Sequence, residues 1–72
     1  MKIEYDKEAD ALYIQLKEAF VEDSVEVENG VVVDVDSDRH VIGLEVLNAS
    51  KRLTLSDLTN ISIQNIPLKE AA

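Results

Sequence analysis

The chain has 72 residues, no cysteine, 46% hydrophobic and 4% aromatic residues, and a formal net charge of -8 at pH 7. That charge excludes free binding to nucleic acid or to an anionic membrane, both of which need a cationic surface. The missing cysteine excludes disulfides and thiolate metal sites.

A chain of this length reads as a single domain over residues 1–72. It buries only about 60% of its unfolded surface, so a lone core is marginal. With no covalent staple available, an aliphatic core shared in a homodimer is the expectation.

In chain order, Lys2 to Tyr5 alternates, with Ile3 and Tyr5 on one face and Lys2 and Glu4 on the other. Asp6 to Asp10 is too polar for a strand, and Asp6 suits an Asx-type bond to the backbone ahead of it. Ala11 to Lys17 alternates again and predicts a strand paired with the first in a hairpin. Leu12 and Leu16 at i, i+4 offer a competing helix, but Tyr13-Ile14 favours the strand. Glu18 to Ser24 has no period and predicts a loop, from which Phe20 plugs the core.

Val25 to Leu47 is the clearest stretch. Val25 to Glu28 alternates, Asn29-Gly30 is a strong hairpin signal, and Val31 to Asp36 is β-branched. Ser37 to His40 is an acidic turn, and Val41 to Leu47 returns as a third strand. Gly43 in mid-strand predicts a bulge or a close backbone approach. Asn48 is placed to cap a helical turn over Ala49 to Leu53, with Lys51 and Arg52 near its negative end. Ser56 is placed to cap a second short turn. Asn60 to Ile66 alternates once more, Pro67 ends it, and Leu68 to Ala72 reads as a frayed tail. The fold expected is mainly β, on the α+β borderline. It is a small antiparallel meander of about five strands with one or two short helical turns in the C-terminal third.

Few residues are patterned for chemistry. With Asp34 as position one of a calcium loop, Asp36, Asp38 and Glu45 fall at positions three, five and twelve. Position six should be glycine but is Arg39, and both flanks are strands, so these four are weak metal candidates. His40 has no partner in a catalytic order, and zinc would need further nitrogen or sulfur ligands. Glu26 and Glu28, with Asp34 and Asp36 across the hairpin, form a candidate acidic docking face for a basic protein. Acid/base work by Glu26, Asp34 or Glu45 would need a water-poor cleft that perturbs their pKa values. No catalytic residue, cofactor or cofactor-binding residue is predicted.

Three pieces taken together are similar to a known family. They are Tyr5-Asp6 with Asp10-Ala11-Leu12-Tyr13-Ile14, then Gly30-Val31-Val32-Val33-Asp34, then Val41 to Ser50. The pattern resembles the small prokaryotic domain-of-unknown-function family numbered 2283, over Met1 to roughly Leu53. The family's turn often carries a glycine where this chain has Arg39 or His40. The resemblance implies a small β-rich domain without established catalytic residues. It also implies an antitoxin-like role, because members look like partners of small toxin-like proteins.

The expected function is therefore a non-enzymatic protein-interaction module, an antitoxin-like partner of a basic toxin-like protein. The alternatives are a divalent-cation-binding protein using Asp34, Asp36 and Asp38, and a purely structural homodimeric domain. No apolar run reaches the ~20 residues that span a bilayer, and Met1-Lys2-Ile3-Glu4 is no signal core. A cytoplasmic location is the expectation.

Overall fold

The alternation of apolar and polar residues builds one antiparallel sheet in the computed structural model, which describes residues 1–64. Its strands are β1 (Lys2–Asp6), β2 (Ala11–Gln15), β3 (Asp23–Glu28), β4 (Val31–Val35) and β5 (Val41–Leu47). Two short helices follow, α1 (Ala49–Arg52) and α2 (Leu55–Thr59). The spatial order is β1-β2-β5-β4-β3. The first hairpin and the three-strand meander are thus joined through the β2–β5 pair, with Ile14 opposite Leu44.

The turns follow from their residues. Asp6 Oδ1 accepts the backbone N–H groups of Glu8 and Ala9, closing the first turn as an Asx motif. Gly30, at φ 85°, supplies the left-handed residue of the β3–β4 turn. Arg39 supplies it in the β4–β5 turn at φ 68°, the position where a glycine would carry no steric cost. The loop from Leu16 to Glu22 crosses the ends of β5 and β4. It is fastened where Leu16 N–H donates to Ile42 O and Glu22 N–H donates to Val35 O.

One face of the sheet carries most of the polar side chains, and the other carries most of the aliphatic ones. Ile3, Leu12, Ile14, Leu44, Val46 and Val33 share the second face by register. Leu58 of α2 lies over its β1–β2 side. The fully buried apolar set among the described residues is small: Ala11, Val35, Ile42 and Ala49. Ile42 is the one large side chain in it, and its burial contributes about 2–3 kcal/mol.

Several local expectations are corrected. Phe20 is no core plug; it is 79% exposed, because its loop runs along the sheet's end and not beneath its face. Asn48 precedes α1 in the left-handed conformation but makes no side-chain cap. Thr54, not Ser56, caps α2. Its hydroxyl accepts the Asp57 N–H and Asp57 accepts the Thr54 N–H, both at 3.0 Å, forming a capping box. Residues 60–64 are not a strand, because no sheet edge pairs with them, and Ile61 and Ile63 are 61% and 69% exposed. The expectations for Ile66, Pro67 and the Leu68 to Ala72 tail lie outside the described residues.

Candidate functional site

The polar face is assembled by register. In an antiparallel pair, directly opposite residues point to the same side. Glu4 opposes Tyr13, Tyr13 opposes Glu45, and Glu45 opposes Val32. One pleat further along, Gly43 opposes Asp34, and Asp34 opposes Ser24. Glu26 joins this face opposite Val32.

Tyr13 ties the face together. Its hydroxyl reaches over β5 and donates to Asp34 Oδ2 at 3.0 Å, while the Ser24 hydroxyl donates to Asp34 Oδ1 at 2.6 Å. Gly43 lies beneath the ring, where a Cβ would stand 2.4 Å from the Tyr13 hydroxyl. The mid-strand glycine therefore serves a close approach. The β4–β5 register also shifts beside it, between Asp34 and Val35. Burial, followed by the Asp34 hydrogen bond, raises the Tyr13 pKa above its ordinary value of 10.0.

Beside Tyr13 the face opens into a hollow of about 610 Å³. Glu4, Asp6, Glu8 and Glu45 line it together with Tyr13, and Lys7 is the cation in its wall. Sequence reasoning missed Glu4, Asp6 and Glu8 as members of this surface. The alternation of β1 placed Glu4 on a face, but the register with Tyr13 and Glu45 was not readable.

The four acids singled out from the sequence separate. Glu26 and Asp34 share the polar face. Glu28 leaves it because the register shifts between Glu26 and Glu28, setting Glu28 opposite Val31 on the other side. There Arg52 Nη1 of α1 donates to Glu28 Oε2 at 2.9 Å, and Arg52 Nη2 donates to Asn29 O. Asp36 is spent on the β4–β5 turn, where its Oδ1 accepts from Asp38 N and His40 N at 2.9 Å each. The His40 N–H is the main cause that holds the Asp36 pKa below its ordinary value.

The calcium-loop spacing is not realised as a single site. Asp34 is held by Tyr13 and Ser24, and Glu45 stands beside Tyr13. A different set meets at the turn: ligand atoms of Asp36, Asp38 and His40 lie within 4.8 Å of one another on an open surface.

A third constellation was invisible in the sequence. Asp10 Oδ1 accepts the Tyr5 hydroxyl at 2.7 Å and the Ser50 N–H at 3.0 Å, and Oδ2 accepts the Ser50 hydroxyl at 2.7 Å. Its carbonyl accepts the Ala49 N–H at 2.9 Å. The Tyr5 hydrogen bond, then those from Ser50, lower the Asp10 pKa. The same bond is the main cause raising that of Tyr5. Asp10 thus caps α1 from another part of the chain, which explains why Asn48 need not.

Comparison with known proteins bears on the sheet and α1. A family model described as a protein of unknown function (DUF2283) matches residues 2–50. No curated protein and no solved structure matches the chain.

Proposed function

The chain belongs to the DUF2283 family of proteins of unknown function, and we propose that it acts without catalysis, as a module that docks a basic protein on its polar sheet face. The observation that carries this reading is the open hollow beside Tyr13, lined by four acids, Glu4, Asp6, Glu8 and Glu45, against one cation, Lys7. A cationic partner gains from several carboxylates at once and is steered to them by a chain of net charge -8. A small basic toxin-like protein has that chemistry, and the antitoxin-like role is this reading in its narrower form.

The electrostatics favour docking over acid/base chemistry. A general acid at neutral pH needs a raised carboxyl pKa in a water-poor site. The hollow beside Tyr13 is an open surface and offers no such site. Among the described residues no helix is long and apolar enough to cross a membrane.

Affinity capture from lysate of the native host tests the reading, using the wild type beside a Glu4→Gln, Glu8→Gln, Glu45→Gln triple variant. The expected result is a basic protein held by the wild type, released by salt, and lost from the variant. Equal capture by both sinks the proposal.

A second reading rests on the turn, where Asp36, Asp38 and His40 offer ligand atoms within 4.8 Å. An imidazole beside two carboxylates suits a transition metal better than calcium. A melting temperature unmoved by zinc and by millimolar calcium would remove it.

A further inference from the structure

Among the described residues the sheet ends in two strands, β1 and β3, whose outer backbone has no strand partner, and such edges are templates for another strand. They differ as templates. β3 has an irregular register around Val27, and its ionisable residues, Asp23, Glu26 and Glu28, are all acids. A second β3 laid against it would set acid near acid across a kinked edge. β1 keeps an unbroken register with β2, is exposed along its whole length, and carries both signs of charge. Lys2 and Glu4 sit together on its polar side, with Lys2 Nζ 3.7 Å from Glu4 Oε1. Ile3 and Tyr5 lie on the helix-covered side, and the strand's alternation carries Met1 to that side too.

We propose that the β1 edge is closed by β1 of a second copy, antiparallel, with Ile3 opposite its own counterpart on the two-fold axis. Facing residues in such a pair share a side, so each alternative register can be judged by what it brings together. A register centred between residues sets Ile3 against Glu4 and mixes the two faces. Centring on Lys2 sets lysine on lysine, and centring on Glu4 sets glutamate on glutamate. Centring on Tyr5 sets Glu4 on Asp6. Centring on Ile3 alone makes every facing pair compatible. Lys2 meets Glu4 of the second copy at two symmetric places, Ile3 meets Ile3, and Tyr5 meets Met1.

The same arrangement addresses the sparse core. Met1, Ile3 and Tyr5 are 78%, 36% and 41% exposed in the single chain, and the pairing sets them against one another. A groove of about 240 Å³ between α2 and the sheet, lined by Ile3, Leu12, Ile14, Leu58 and Ile61 together with the polar Asp57 and Asn60, reaches this edge. Pairing through Ile3 brings the two copies' grooves to a common seam. The assembly shares Glu4 with the acidic hollow, and cross-linking through Ile3→Cys, which leaves Glu4, Glu8 and Glu45 in place, tests it apart from the docking reading.

Sedimentation and cross-linking test it on the full chain. The wild type is expected at twice 8.0 kDa. The chain has no cysteine of its own, so Ile3→Cys supplies one thiol on the axis, at a spacing that antiparallel pairing and a disulfide share. Mild oxidation should link that variant as a dimer, while Val27→Cys on the other edge stays unlinked. Lys2→Glu should weaken the dimer about tenfold by replacing two attractive pairs with repulsive ones. Adding Glu4→Lys should restore it by reversing both charges. A monomeric wild type overturns the proposal. So does a dimer that links through Val27→Cys instead of Ile3→Cys, or one indifferent to Lys2→Glu.

Discussion

Asp10 and Ser50, forty positions apart in sequence, are joined twice: one Asp10 oxygen accepts the Ser50 N–H and the other accepts its hydroxyl. α1 spans only Ala49–Arg52, too short to persist alone. Its first turn is therefore held by the β1–β2 turn. Replacing Asp10 by Ala should lower Tm by about 5 °C, as loss of a helix cap does in a small domain. Ser50→Ala should lower it less, because the backbone half of the link survives. Thermal melts followed by circular dichroism check the order.

Gly43→Ala should also destabilise. The new methyl would stand 2.4 Å from the Tyr13 hydroxyl and 3.1 Å from its Cζ, so the stiff ring must tilt and release Asp34. The expected cost is about 1–3 kcal/mol. Tyr13→Leu in the Gly43→Ala background should recover part of it, since the shorter side chain clears the methyl. Denaturant titration of the single and double variants gives the comparison, and no recovery would remove the ring as the cause.

Two large apolar residues should respond in opposite ways. Ile42, 2% exposed, should cost about 2–5 kcal/mol on truncation to Ala. Phe20, 79% exposed, should change stability by less than about 0.5 kcal/mol when replaced by Ser. Denaturation midpoints of the two variants decide it.

Stability should fall at both ends of the pH scale. Asp10, Asp36 and Asp57 have folded pKa values below their ordinary 3.8. The unfolded chain therefore binds protons first, and these contributions, full above 3.8, are lost as pH falls through the folded values. Tyr5 and Tyr13 are raised above 10.0, so theirs are full below 10.0 and lost as pH rises through the folded values. Asp10→Asn should flatten the acid limb and Tyr13→Phe the alkaline limb. Tm measured across pH reads both.

What the sequence made legible was what alternation and turn chemistry control locally. Val25 to Leu47 announced its strands, Asn29-Gly30 its hairpin and Asp6 its turn. Alternation fixes which residues share a face but not which strands are neighbours. The β2–β5 pair, and with it the meeting of Glu4, Tyr13 and Glu45, was therefore out of reach. The irregularity at Val27 was hidden for a related reason: nothing in Glu26-Val27-Glu28 marks a skipped pairing, yet it sends the two glutamates to opposite sides. Thr54-Leu55-Ser56-Asp57 did carry a readable signal, a hydroxyl followed three residues later by an acid. Asn60 to Ile63 shows the converse, an alternating pattern that pairs with neither edge of the sheet.

The strand order also governs how the chain is made. β2 lies between β1 and β5, so the first hairpin emerges from the ribosome long before its only other neighbour exists. Until Leu47 is synthesised, one flank of β2 stays without its partner and Asp10 has no Ser50 to hold. The β3–β4 hairpin can close locally in the meantime. A nascent chain ending before β5 therefore lacks the strand that joins the two hairpins, and cannot complete the sheet.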